Sequence, residues 1–384
     1  MRLLMFQPAL PPYRVDLYNA LAARCDFRVV FLHDNLLTQR FDQQLLRGRL
    51  LADHGYLLDG VTFKGRTMRR GVCQEIRRFG PDVVVTAEYS PTTLMVVANR
   101  AVAGRQYAHV VETQDNPAVV AGDHWWRGMA KAVVLPRIDG ILVYSEPAAH
   151  MYHERYAVRA RIGISPLLQD EVVFRQRLAE VTDEVHRIVA SHYLTGKRVV
   201  LFVGRLVRVK QAHRLIRVFP QVQKSFPDST LALVGDGPER GSLERLARAT
   251  GLESNIIFVG RKEDAELCAW YRVASVFALP SSFEPFGAVV NEALLAGVPV
   301  VCSDRAGASG LVREGKTGAV IDAASAEALS TSLREWLGHA RPLDATEVML
   351  RPSLMAANFS DTVDGFLDLL RATDRSAREH RGAA

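Results

Sequence analysis

The sequence predicts an α/β protein of two domains, each a parallel sheet covered by helices on both faces. Three observations predict it. The 384 residues exceed what one ordinary core holds and fit two domains of normal size. Short apolar runs alternate with helical stretches through the first half and again through the second, the pattern of βαβ units. In the second half, the apolar runs end in glycine-bearing polar turns, where ligands bind on such sheets.

In the first half, Leu3–Gln7, Phe27–Leu32, Val83–Thr86, His109–Glu112 and Gly140–Tyr144 read as strands. Tyr13–Arg24, Met68–Phe79, Thr92–Gly104 and Glu146–Tyr156 read as helices. The polar segment around 170–195 reads as helical and leads into the second half. There the strands are Val199–Val203, Leu231–Val234, Ile256–Val259, Val276–Ala278 and Val300–Val301. The helices are Ala212–Lys224, Gly241–Ala249, Asp264–Tyr271, Val289–Ala296 and Ala326–Leu337. The expected division is residues 1–165 and 166–357, with two facing sheets making a cleft.

No run approaches the ~18–20 apolar residues of a membrane span. The start, Met-Arg-Leu-Leu-Met-Phe-Gln-Pro, reads as a buried strand rather than a signal peptide. Four cysteines, at 25, 73, 268 and 302, are too scattered for a zinc knuckle or redox pair and fit a reduced, cytoplasmic protein. Residues 1–165 carry 21 Lys/Arg against 15 Asp/Glu, which is the whole net charge of +6. That excess fits either a solvated basic surface or attraction to something anionic, such as a membrane. No signature of nucleic-acid binding accompanies it.

The chemistry is read from the residues just after each second-half strand. After Val203 come Gly204, Arg205 and Lys210, a turn glycine and two cations suited to a pyrophosphate. After Val234 come Gly235, Asp236 and Gly237, opening a helix. This fits a tight turn as well as a phosphate site. No acid stands at the end of the next strand, Val259-Gly260-Arg261, which counts against a dinucleotide site. After Ala278, the run Ser282-Phe-Glu-Pro-Phe-Gly-Ala-Val-Val-Asn-Glu-Ala sets Glu284 at a strand exit and Glu292 eight residues on, inside a helix. Phe286 and Gly287 can offer amides to an anion at the helix start. The set combines hydroxyl acceptors for two polyols with donors for the phosphates between them.

This run resembles the Glu-x7-Glu motif of retaining glycosyltransferases of the GT-B fold, in particular the group called family four. The resemblance continues through Gly204-Arg205…Lys210, Gly235-Asp-Gly-Pro-Glu-Arg, Val259-Gly-Arg, Gly297-Val-Pro-Val-Val-Cys-Ser-Asp and Gly315-Lys-Thr-Gly. It implies two Rossmann-like domains with a cleft between them. A final helix, about 358–384, would cross back to the first. It also implies a hexosyl transfer from a UDP- or GDP-linked sugar. Arg205, Lys210 and Glu284 would be catalytic, the two cations holding the diphosphate and Glu284 the transferred sugar. Gly204, Gly235, Gly237, Val259, Arg261, Phe286, Gly287, Val290 and Glu292 would hold the donor, Glu292 at its ribose. No cofactor is implied. With no Asp-x-Asp in the chain, no metal is expected.

The first half departs from the family pattern. The first strand-to-helix loop is Gln7-Pro-Ala-Leu-Pro-Pro-Tyr-Arg rather than paired glycines, which gives Tyr13 and Arg14 as acceptor-side residues. Relatives often carry a histidine after a mid-domain strand. His109 stands at the wrong end of its strand, and Glu112, Thr113 or Gln114 would face the cleft instead.

The expected acceptor is a glycan or a lipid-linked molecule, as in polysaccharide biosynthesis. It would be reached at the inner face of an anionic membrane through Lys64, Arg66, Arg69, Arg70, Trp125, Trp126, Arg127 and Lys131. The Lys64–Arg70 cluster is expected to open a helix, and the Trp pair fits core packing as well as an interface. An epimerase, a phosphorylase or a non-catalytic sugar-nucleotide-binding protein on the same fold remain alternatives.

Overall fold

The computed structural model describes residues 1–35, 40–63, 65–104, 106–121, 125–344 and 349–382. The chain divides into two compact units, Met1–Gln169 with Phe359–Ala384, and Asp170–Asn358.

The first unit contains β1 (Arg2–Gln7), β2 (Asp26–Phe31), β3 (Asp53–Tyr56), β4 (Gly60–Phe63), β5 (Arg66–Arg69), β6 (Val83–Ala87), β7 (Ala108–Glu112), β8 (Gly140–Val143) and β9 (Arg161–Ile164). Seven of them form one parallel sheet in the order β3-β2-β1-β6-β7-β8-β9, and β4 and β5 pair as a separate antiparallel hairpin. Leu3, Leu4, Met5 and Phe6 are wholly buried, as expected of a strand covered on both faces. The helix Phe359–Gly382 joins this unit's core through Val363, Phe366, Leu367 and Leu370, packed with Leu3, Met5 and Val29.

The second unit contains β10 (Arg198–Val203), β11 (Ser229–Val234), β12 (Ile256–Gly260), β13 (Val276–Leu279), β14 (Val300–Ser303) and β15 (Gly318–Ile321), a parallel sheet in the order β12-β11-β10-β13-β14-β15. In each unit the strand order reverses once, between β1 and β6 and between β10 and β13. Those two crevices at the strands' carboxyl ends are where such sheets take ligands.

Two expectations about the first half change. Met68–Phe79 is not one helix: Arg66–Arg69 is strand β5, Gly71 turns the chain at φ 94°, and the helix is Val72–Phe79. The basic cluster before Gly71 therefore lies on a hairpin, closed by Arg70 N–H donating to the Asp59 carbonyl at 2.9 Å. The alternation Val61-Thr62-Phe63, with the left-handed Gly65 at φ 73° turning the chain back, fits a hairpin better than helical spacing. In Tyr13–Arg24, a 3-10 turn, Pro12–Arg14, precedes the helix Val15–Ala22. The strands β3, β9 and β15 are short edge strands of four residues each, and they add to those the pattern predicts.

Candidate active site

The second unit's crevice is assembled from backbone upward. Gly204 N–H donates to Val234 O at 3.0 Å, and Gly235 N–H to Gly260 O at 2.8 Å, so the exits of β10, β11 and β12 are stitched side by side. A Cβ on Gly235 would lie 1.9 Å from Gly204 O, and one on Gly237 would lie 2.5 Å from Leu206 O. These glycines are required because two loops pass backbone against backbone. Leu206 N–H donating to Asp236 O and Glu239 N–H to Leu206 O complete the seam.

Because β10 and β13 are neighbours, their exits meet. Ser282 N–H donates to Val209 O at 2.9 Å, tying the loop after β13 to the 3-10 turn Arg208–Lys210. Lys210 Nζ then forms an ion pair with Glu284 Oε2, the two side chains being only 16% and 11% exposed. Glu284 is fixed from a third side by the loop after β14: its N–H donates to Arg305 O, and its carbonyl accepts from Gly307. Gly287, at φ 96°, caps the helix Ala288–Leu295, and a Cβ there would lie 3.1 Å from Glu284 Cγ. The Glu284 carboxylate therefore sits over a glycine at a helix start, where the first amides have no intrahelical acceptor.

One and a half turns along that helix, Glu292 accepts a hydrogen bond from the Tyr271 hydroxyl at 2.7 Å. Tyr271 is wholly buried, and burial followed by Glu292 pushes its pKa well above the usual value, so it remains a donor. Its role has no signal in the sequence, because Tyr271 lies on the preceding helix, Asp264–Val273.

The structure thus brings Gly204, Lys210, Glu284 and Gly287 together, with Gly235 and Gly237 supporting the turn. Phe286 is 4% exposed and its carbonyl accepts from Ala308, so the ring is a packing group. Val290 is wholly buried, so its side chain packs in the core. Arg205 is half-buried in the turn after β10. Val259, half-buried, and Arg261, exposed and ion-paired with Glu263, stand at the end of β12 on the sheet's outer edge.

In the first unit the exits of β1, β7 and β8 carry a buried polar cluster. Arg14 donates to Glu112 and to the Tyr144 hydroxyl, both at 2.5 Å, and Gln7 Nε2 donates to Glu112 at 2.7 Å. Burial opposes the charge on Arg14, but Glu112 and Tyr144 outweigh it and keep the guanidinium charged. Arg14 and Glu112 are 4% and 2% exposed and work as a clamp, while Tyr13 is half-buried.

Beyond β6, Glu88 adopts φ 58°, a left-handed conformation uncommon for a residue with a side chain. Its carboxylate accepts from the Gln114 amide at 2.7 Å, the Thr113 hydroxyl at 3.1 Å and Arg127 at 2.7 Å. Thr113 is buried and Gln114 exposed. Burial raises the Glu88 pKa, with Arg127 opposing. Glu88 was not among the expected site residues, and nothing local in Thr-Ala-Glu-Tyr marks it.

The expected basic surface is corrected in three places. Arg127 pairs with Glu88 and the buried Asp115, Lys131 is 1% exposed and pairs with Asp115 at 2.8 Å, and Arg69 is buried against Leu58 O and His33. Lys64 lies outside the described residues. Trp125 is 74% exposed, whereas Trp126 lies beneath the Arg66 guanidinium, 3.1 Å from ring centroid to Cζ. His109 is wholly buried and shares a 2.9 Å hydrogen bond with Thr86. Burial, with Arg100 adding, lowers its pKa to about 3, so it is a neutral core residue.

Residues 187–345 match the family model described as Glycosyl transferases group 1. The chain is 34% identical over 172 residues to a GDP-mannose-dependent alpha-(1-6)-phosphatidylinositol monomannoside mannosyltransferase of Mycolicibacterium smegmatis, covering 43% of this chain and 45% of that one. It is 30% identical over 252 residues to a glycogen synthase of Mycobacterium tuberculosis, covering 63% and 56%. The chain thus spans about half the length of these curated relatives. Among solved structures, Anabaena HepE in complex with UDP and glucose superposes with a TM-score of 0.68 at 16% identity over the whole of both chains. WaaG, a glycosyltransferase involved in lipopolysaccharide biosynthesis, superposes with a TM-score of 0.61 at 17% identity over 98% of each. The fold is that of the GT-B glycosyltransferases, and residues 187–345 are similar to the Glycosyl transferases group 1 domain.

Proposed function

We propose that this chain transfers a hexose from a nucleoside-diphosphate-sugar to a glycan or lipid-linked acceptor, with retention at the anomeric carbon. The observation that carries the reading is the Lys210–Glu284 pair at the β10/β13 crevice, followed on the next helix by Glu292 held by Tyr271. Lys210 and Arg205 neutralise the diphosphate, the amides at Gly287 receive it, Glu284 accepts sugar hydroxyls, and Glu292 accepts those of the ribose. The acceptor oxygen bonds to the anomeric carbon as the bond to the diphosphate oxygen breaks. The acceptor's proton passes to a phosphate oxygen of the leaving diphosphate. The protein's contribution is prepared charge and position. With two cations at the diphosphate, the reaction needs no metal in this reading.

The nucleotides named for the relatives, GDP-mannose in one and UDP in another, support a UDP- or GDP-linked sugar. The lipid in the mannosyltransferase's name supports a lipid-linked acceptor, reached by a cytoplasmic chain resting on an anionic membrane surface. Among the described residues no helix is long and apolar enough to cross a membrane. Titration calorimetry with UDP, GDP and ADP, followed by nucleotide-release assays with the matching sugars in EDTA, tests the reading. Binding and release that persist in chelator support it. Binding without release or transfer to any acceptor would favour the non-catalytic alternative, which the neutral, buried His109 keeps open.

A further inference from the structure

We propose that the hairpin β4–β5 and the helix Trp125–Val134 form one docking face that inserts at the headgroup boundary of an anionic bilayer. The proposal rests on the transferase reading only for its purpose, not for its geometry. In the hairpin register Phe63 faces Arg66 and Val61 faces Met68, and directly opposed residues share a face of an antiparallel pair. Val61, Phe63, Arg66 and Met68 therefore lie on one side of the ribbon. Arg66 covers Trp126, so that side runs on to the helix. The helix in turn exposes Trp125, Met129 and Val133, a stripe at i, i+4 and i+8.

The face is unusually apolar for a surface. Phe63 is 72% exposed, Met129 61% and Met68 54%. A two-stranded ribbon is marginal in water by itself, so an apolar side left open on one marks a contact surface. Charge selects the occupant. Residues 60–74 and 125–138 contain no Asp or Glu, and Arg66 and Arg70 lie on the hairpin. A two-fold contact between copies would set this acid-free face against itself, whereas an anionic headgroup layer complements it and Trp and Phe suit the acyl boundary below. Half-buried Arg127 and buried Lys131, both ion-paired with Asp115, play no part, so apolar insertion supplies the larger share and the arginines supply lipid preference.

The test is flotation of the full chain with vesicles of phosphatidylglycerol in phosphatidylcholine and of phosphatidylcholine alone. The wild type should float with the anionic vesicles and much less with the neutral ones. Phe63→Glu and Met129→Glu should each lower partitioning about tenfold or more. Both variants should retain nucleoside diphosphate affinity, which reads the second unit. If either fails to fold, Phe63→Ser and Met129→Ser read the same loss in milder form. Wild type that ignores anionic vesicles at low salt, or variants that float like wild type, overturn the proposal. A dimer in sedimentation that the same variants dissociate would overturn it in favour of a second copy. Failure of wild type to bind any nucleoside diphosphate would refute the transferase reading and leave this one standing.

Discussion

The Tyr271 hydroxyl donates to Oε2 of Glu292 at 2.7 Å, so the second carboxylate of the Glu-x7-Glu run is aimed by a wholly buried side chain from the preceding helix. The bond fixes the orientation of the Glu292 carboxylate on its helix.

Tyr271→Phe should therefore weaken nucleoside diphosphate binding about three- to tenfold, as expected for losing one hydrogen bond worth roughly 1 kcal/mol. Glu292→Ala should cost roughly 1.5–3 kcal/mol of binding, since a charged acceptor is lost. Calorimetry with ribo- and 2′-deoxyribonucleoside diphosphates checks both. The variants should narrow the preference for the ribo form, and an unchanged preference would remove Glu292 from the ribose.

The Lys210–Glu284 pair should be needed for both folding and turnover. Lys210→Met leaves a mostly buried carboxylate without its cation, which should cost about 3 kcal/mol of stability and lower the transfer rate at least about a hundredfold. Adding Glu284→Gln should recover stability without recovering the rate. Melting curves and single-turnover rates separate the two effects, and a double variant with normal turnover would place the chemistry elsewhere.

Gly235→Ala should destabilise the protein by about 2–4 kcal/mol, because the new Cβ would overlap Gly204 O and something in the stitched loops must move. Gly241→Ala is the control. Its nearest neighbour to an added Cβ is a flexible arginine tip at 3.6 Å, and it lies in the helix Arg240–Ala249. It should be neutral or stabilising by up to about 1 kcal/mol. Chemical denaturation of both measures the contrast.

His109 should make the first unit acid-sensitive. Its pKa is lowered to about 3 in the folded state, below the ~6.5 of an unfolded histidine, because burial disfavours the charge. The unfolded chain then binds the extra proton, so this contribution is full above pH ~6.5 and is lost as pH falls towards about 3, by up to about 4 kcal/mol. His109→Gln should lose less stability between neutral pH and pH ~4 than wild type in parallel denaturant titrations. Equal slopes would mean that the acid transition belongs to other groups.

The linear pattern determined what local forces and composition can determine. Short, wholly apolar runs such as Leu3–Phe6 and Leu231–Val234, bounded by turn residues, fit strands buried on both faces, and their alternation with helices sets the class of fold. Gly204, Gly235, Lys210, Glu284 and Glu292 were legible because a crevice at strand exits needs turn glycines and charges at fixed offsets from the strands.

What the tertiary structure decided is what depends on which strands become neighbours. Lys210 meets Glu284, 74 residues away, because β13 pairs with β10, and no spacing in the chain encodes that adjacency. The same holds for Tyr271 under Glu292 and for Glu88 gathering Gln114 and Arg127. Burial was likewise invisible. Arg127 and Lys131 read as surface cations beside two tryptophans until Asp115 and Glu88 were placed against them, since a charge is tolerated inside only when its partner arrives by folding. Pairing of Val61 and Phe63 with Met68 and Arg66 turned an expected helix into a hairpin and left its apolar side facing outward.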